Sequence, residues 1–126
     1  MLTELKERRL PRTIEEEGVL ILTIDSPEAL DDESRSYHEA VQRAAAGRSR
    51  PRVAVDLARV DVLSSTGVGL LVALRRRVAA EGGRLVLFDV RPEVRSLLQT
   101  TALERLFLIA EDRTSALALL HATPSL

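Results

Sequence analysis

No cysteine occurs in the 126 residues, which excludes disulfides and thiolate metal sites and is compatible with a reducing compartment. Tryptophan is missing too, and aromatic residues make up only 2% of the chain, so a core has to be assembled from Leu, Val, Ile and Ala. Lysine is nearly absent. Lys6 is the only one, and none stands where a phosphate-binding loop would need it. An excess of either charge is lacking as well: 18 basic residues against 19 acidic ones give a net charge of −1. That leaves no electrostatic case for nucleic acid, whose phosphates call for a basic face. Long apolar runs are also missing. The longest, Gly67 to Leu74, falls far short of the roughly 20 residues that cross a bilayer, so no membrane insertion is expected. Met1 to Arg12 mixes acids and bases and holds no apolar segment of signal-peptide length. A soluble, cytoplasmic protein is the expectation.

What the chain does contain suits one folded domain. Hydrophobic residues make up 45% and charged ones 29%, a balance that disordered chains do not show. Residues 1–11 read as a charged lead-in ending in Pro11, and 12–126 as the domain. Arg12 to Glu16 and Gly18 to Asp25 read as strands joined around Glu16-Glu17-Gly18. In the second, Leu20, Leu22 and Ile24 alternate with Val19, Ile21 and Thr23, the pattern of a strand covered on both sides. Ser26-Pro27 then punctuates. A helix starting there, or slightly later at Asp31-Asp32, is expected to run to about Ala46, with Leu30, Ser34, Tyr37, Val41 and Ala44 along one face. His38 lies off that stripe and reads as a surface residue, and Arg48 to Arg52 reads as a basic connector.

Val53 to Leu57 is the next expected strand, followed by a helix from about Ser65 to Glu81 that Gly82-Gly83 terminates. Arg75-Arg76-Arg77 reads as a solvated face. Arg84 to Val90 is a strand, Pro92 opens a short helix, and Leu106 to Ile109 is a last strand. Glu111-Asp112 caps a terminal helix ending near His121. Strands alternating with helices predict an α/β domain with a mostly parallel sheet.

The unusual chemistry sits between strand and helix, at Ser64-Ser65-Thr66-Gly67-Val68-Gly69. Hydroxyls suit a helix start, where their oxygens accept hydrogen bonds from unpaired first-turn N–H groups. A nucleophilic serine would need a base, yet neither of the two histidines, His38 and His121, is placed at the end of a strand near Ser65. A nucleophile elbow would read Gly-x-Ser-x-Gly, and Leu63 stands at its first glycine. The pair Gly67-Val68-Gly69, with Asp89 about 20 residues on, imitates a dinucleotide fingerprint. Val72 occupies the third glycine and breaks it. No catalytic residue, cofactor or metal site is expected. A hydroxyl with no catalytic apparatus around it is better suited to being acted on than to acting.

From Gly18 to Leu120 the chain resembles the STAS domain family, and within it the anti-anti-sigma factors (anti-sigma factor antagonists). The resemblance is carried by Asp56-Leu57, by Ser65-Thr66-Gly67-Val68-Gly69, and by Gly82-Gly83 before Leu85 to Phe88. Pro92-Glu93-Val94 with Leu97-Leu98, and Thr101-Ala102-Leu103 leading to Leu106-Phe107, extend it. It implies a mixed, mostly parallel sheet of four or five strands with helices packed mainly on one face. By position it implies that Ser65 is the phosphorylation site, with Ser64, Thr66, Gly67 and Gly69 in support, the glycines keeping the helix start accessible. The partner it implies is an anti-sigma factor that is also a serine protein kinase of the ATP-binding, histidine-kinase-like fold. A metal-dependent serine phosphatase would reset the site. Two departures stand out. Ser64 replaces the family's aspartate, and Glu28-Ala29-Leu30-Asp31 has lost the glycine of the family's acidic turn. That turn points to Asp31 and Asp32 as partner-interface residues. A constitutive scaffold or adaptor, as in stressosome-like assemblies or transporter-associated STAS subunits, is the alternative function.

Overall fold

The computed structural model describes residues 11–122. Five strands form a single sheet in the order β1-β2-β3-β4-β5: Arg12–Glu16, Val19–Thr23, Arg52–Asp56, Arg84–Phe88 and Leu108–Ala110. Only β1 runs antiparallel, paired with β2. Glu16 faces Val19 across a two-residue turn in which Glu17 and Gly18 both have positive φ, 53° and 78°. That is the turn whose twist matches a hairpin. The remaining pairs are parallel.

The alternation in β2 sorts its side chains as the sequence predicts. Leu22, and Ile24 just past the strand, enter the main core, while Val19 and Ile21 enter a second apolar cluster on the other face. Helices α1 (Pro27–Asp32), α2 (Ser34–Ala45), α3 (Ser65–Ala80) and α4 (Pro92–Thr100) cover the first face. Helix α5 (Arg113–His121) covers the second, setting Ala116, Leu117 and Leu120 against Ala54, Val86 and Phe88. Tyr37 on α2 is fully buried, and burial, reinforced by Glu33, pushes its hydroxyl up to about 12.

Local chemistry explains the boundaries. The Ser26 oxygen accepts a hydrogen bond from the Ala29 N–H at 3.1 Å, and Pro27 fills the first turn of α1. Asp112 caps α5 by accepting from the Ser115 N–H at 2.8 Å, a bond that holds its carboxyl below the usual range. Helix α3 ends with the Gly83 N–H bonded to Val78 O and the Gly82 N–H to Ala79 O, with Gly82 at φ 74°.

Two expectations are corrected. The single helix expected from Ser26-Pro27, or from Asp31-Asp32, to about Ala46 is two helices, broken at Glu33, whose φ of −118° and ψ of 24° interrupt the spiral. The strand expected at Leu106 begins at Leu108 instead, because Ala102 turns left-handed at φ 61° and starts a 3-10 helix over Leu103–Leu106.

Candidate functional site

The loop from β3 to α3 is held from below. The Leu57 N–H donates to Phe88 O at 3.1 Å, and Asp56 Oδ1 accepts from the Ala58 N–H at 2.9 Å. Leu57, Val60 and Leu63 are buried and anchor the loop, while Val62 between them is 58% exposed.

Ser64 is the N-cap of α3. Its oxygen accepts from the Gly67 N–H at 3.0 Å, and its hydroxyl donates to Asp31 Oδ1 at 2.6 Å. The residue that departs from the family's aspartate therefore still caps the helix, and a carboxylate from α1 reaches the same spot. Ser65 and Thr66 follow in the first turn, both exposed. Capping thus falls to Ser64 and leaves the Ser65 hydroxyl on the surface, at the end of the helix that favours negative charge. The hydroxyl cluster is legible in the sequence, and the contact with Asp31 is not. The one signal for it was the altered acidic turn that singled out Asp31.

The glycines divide. A Cβ on Gly69 would meet open space, and the residue is exposed, in keeping with an accessible helix start. Gly67 does not fit that expectation. It is buried, and a Cβ there would lie 3.4 Å from both Leu30 Cδ1 and Leu63 Cδ2. Its small size lets α1 pack against α3. Asp32, the last residue of α1, is exposed and lies outside the Ser64–Asp31 bond.

Beside Thr66 an open groove of about 470 Å³ runs between α2 and α3, lined by Arg35, His38, Gln42 and Leu70 among others. His38 is half-buried in its wall rather than wholly on the surface. At the carboxyl end of the sheet, burial pushes the Asp89 carboxyl up, and the charges of Asp56 and Asp112 push in the same direction.

The STAS domain profile matches residues 11–116. BtrV of Bordetella bronchiseptica, named as an anti-sigma factor antagonist, is 26% identical over 102 residues, covering 81% of this chain and 86% of that protein. A STAS-domain containing protein of Pseudomonas aeruginosa is 32% identical over 76 residues, covering 60% of this chain and 73% of its own length. Among solved structures, an anti-sigma-factor antagonist (STAS) domain protein from Planctomyces limnophilus superposes with a TM-score of 0.77 at 20% identity, covering 90% of this chain and all of that one (100%). With its sheet order, its capped α3 and a profile match spanning most of its length, the chain belongs to the STAS domain family.

Proposed function

We propose that this protein is an anti-sigma factor antagonist controlled by phosphorylation of Ser65. The observation that supports this reading is the exposure of Ser65 at the start of α3, next to a different serine that does the capping. Unphosphorylated, the chain binds an anti-sigma kinase and so frees the sigma factor. The kinase supplies ATP and Mg²⁺. The Ser65 oxygen bonds to the γ-phosphorus, the bond from that phosphorus to the bridging oxygen breaks, ADP leaves, and the hydroxyl proton passes to a base on the kinase. A metal-dependent phosphatase hydrolyses the ester and restores the binding form.

The phosphoryl group adds about −1.5 to −2 charges at neutral pH. Within this domain the positive end of α3 accommodates it. A partner packed over the same spot would have to desolvate a dianion, and a loss of about 4 kcal/mol lowers affinity roughly a thousandfold. The test is incubation with ATP and the cognate kinase, followed by mass spectrometric mapping. Label at Ser65 is expected, and label only at Ser64 or Thr66, or none, overturns the reading.

A further inference from the structure

At the other end of the sheet from Ser65, the amino ends of β3 and β4 bring three arginines to one cleft. Arg50, Arg52 and Arg84 line an opening of about 390 Å³ together with Gly82, Leu120 and Ala122. Arg52 and Arg84 are direct partners in the parallel register of β3 and β4. The residue after each, Val53 and Leu85, enters the main core, so both arginines share the opposite face, beside α5. Like charges side by side on adjacent strands repel one another. Among the described residues none of the three arginines is in an ion pair, although Arg48, two residues before Arg50, pairs with Glu15, and Arg113 at the start of α5 pairs with Glu16. The Arg84 guanidinium donates one bond to Ala122 O at 3.1 Å, which holds the group in place, and among the described residues it makes no other side-chain hydrogen bond.

Two backbone features hold the cluster together. Arg50 adopts φ 59°, a conformation in which glycine or asparagine would be less strained, and its N–H bonds to Glu81 O at 3.0 Å. Gly83 sits so close to Pro51 that a Cβ would lie 2.1 Å from Pro51 O, and this approach draws the Arg50–Arg52 segment against the start of β4. A chain with nearly balanced charge thus collects three guanidiniums in one cleft, none of them in an ion pair among the described residues and one of them on a strained backbone.

We infer that the cleft formed by Arg50, Arg52 and Arg84 is a binding site for a phosphate monoester dianion. Guanidiniums recognise phosphate oxygens through paired, charge-assisted N–H bonds, and Leu120 and Ala122 offer an apolar wall to the group that carries the phosphate. This site is separate from Ser65 and does not depend on the proposed function.

The experiment titrates the whole chain by calorimetry with inorganic phosphate and with phenyl phosphate. A parallel sedimentation assay compares vesicles containing phosphatidic acid with vesicles of phosphatidylcholine alone. Saturable binding of either soluble probe, weakened about tenfold or more by Arg52→Gln and unaffected by Arg76→Gln on the exposed side of α3, supports a soluble ligand. Binding to phosphatidic acid vesicles alone, with the same dependence on Arg52, supports a lipid headgroup. Arg50→Gly is expected to raise the melting temperature while weakening binding, which separates loss of the site from loss of the fold. No saturable binding to any probe, or equal weakening by Arg76→Gln and Arg52→Gln, overturns the inference.

Discussion

The Ser64 hydroxyl donates to the Asp31 carboxylate at 2.6 Å across 33 residues of chain, while its oxygen accepts from the Gly67 N–H. One side chain therefore both caps α3 and fastens it to the end of α1. Ser64→Ala removes both bonds and is expected to lower stability by about 1–2 kcal/mol, read from urea unfolding. Ser64→Asp keeps a capping oxygen but sets a second carboxylate against Asp31. Its loss of stability should be largely restored by adding Asp31→Asn, and a double-mutant cycle measures the coupling. If the two substitutions prove additive, the carboxylates do not interact.

Ser65→Ala is expected to leave stability within about 0.5 kcal/mol of the parent, because an exposed residue that does not cap the helix is being replaced by a good helix former. In a pull-down, the alanine form should keep the anti-sigma kinase and phosphorylated protein should lose it. Retention by both forms would favour a constitutive adaptor.

Gly67, Gly69 and Gly83 should respond differently to alanine. Gly69→Ala places a methyl in open space on a helix and should stabilise by about 0.5–1 kcal/mol. At Gly67 the same helical gain is opposed by contact with Leu30 and Leu63, so the net benefit should be smaller. Gly83→Ala forces a methyl onto the Pro51 carbonyl and should cost about 1–3 kcal/mol or more. Equilibrium unfolding of the three variants gives the order.

Asp89 titrates above its ordinary range, first because it is desolvated and then because Asp56 and Asp112 repel its charge. A carboxyl whose folded value is raised contributes stability below its unfolded value and loses it as pH rises through the folded one. Asp89→Asn is therefore expected to stabilise the protein at pH 7 and to change little once the pH falls below the ordinary carboxylate range, where Asp89 is itself protonated. Asparagine also tolerates the left-handed backbone at φ 53°. Equal effects at both pH values would contradict the electrostatic account. Asp112 has the opposite sign. Its carboxyl is held low by the Ser115 N–H, so its contribution is present above the unfolded value and is lost as pH falls through the folded one.

Much of this architecture is written locally. Alternation in β2, the Ser26-Pro27 start and the Gly82-Gly83 stop each act through neighbouring residues, and each is legible without coordinates. The break at Glu33 is not, because the apolar spacing from Leu30 to Tyr37 and Val41 continues across it and both helices bury the same face. The run Leu106-Phe107-Leu108-Ile109 reads as a strand, but its partner β4 takes up pairing only at Val86 opposite Leu108. At the site, a serine at a helix start is readable as a cap. Which serine caps, and that Asp31 meets it, depends on how α1 packs on α3, a relation between distant segments. Gly67 reads as accessible for the same reason: Leu30, which covers it, arrives from another helix.

The strands lie across the sheet in the order in which they are synthesised, so no later strand has to be threaded between two that have already paired. Growth can therefore follow the ribosome, each segment docking on the edge left by its predecessor. The serine loop is the exception to that local schedule. Its Leu57 N–H is satisfied only by Phe88, at the end of β4, so a nascent chain halted before that point would carry Ser65 without the support that fixes it. A kinase that requires the finished loop would ignore such fragments.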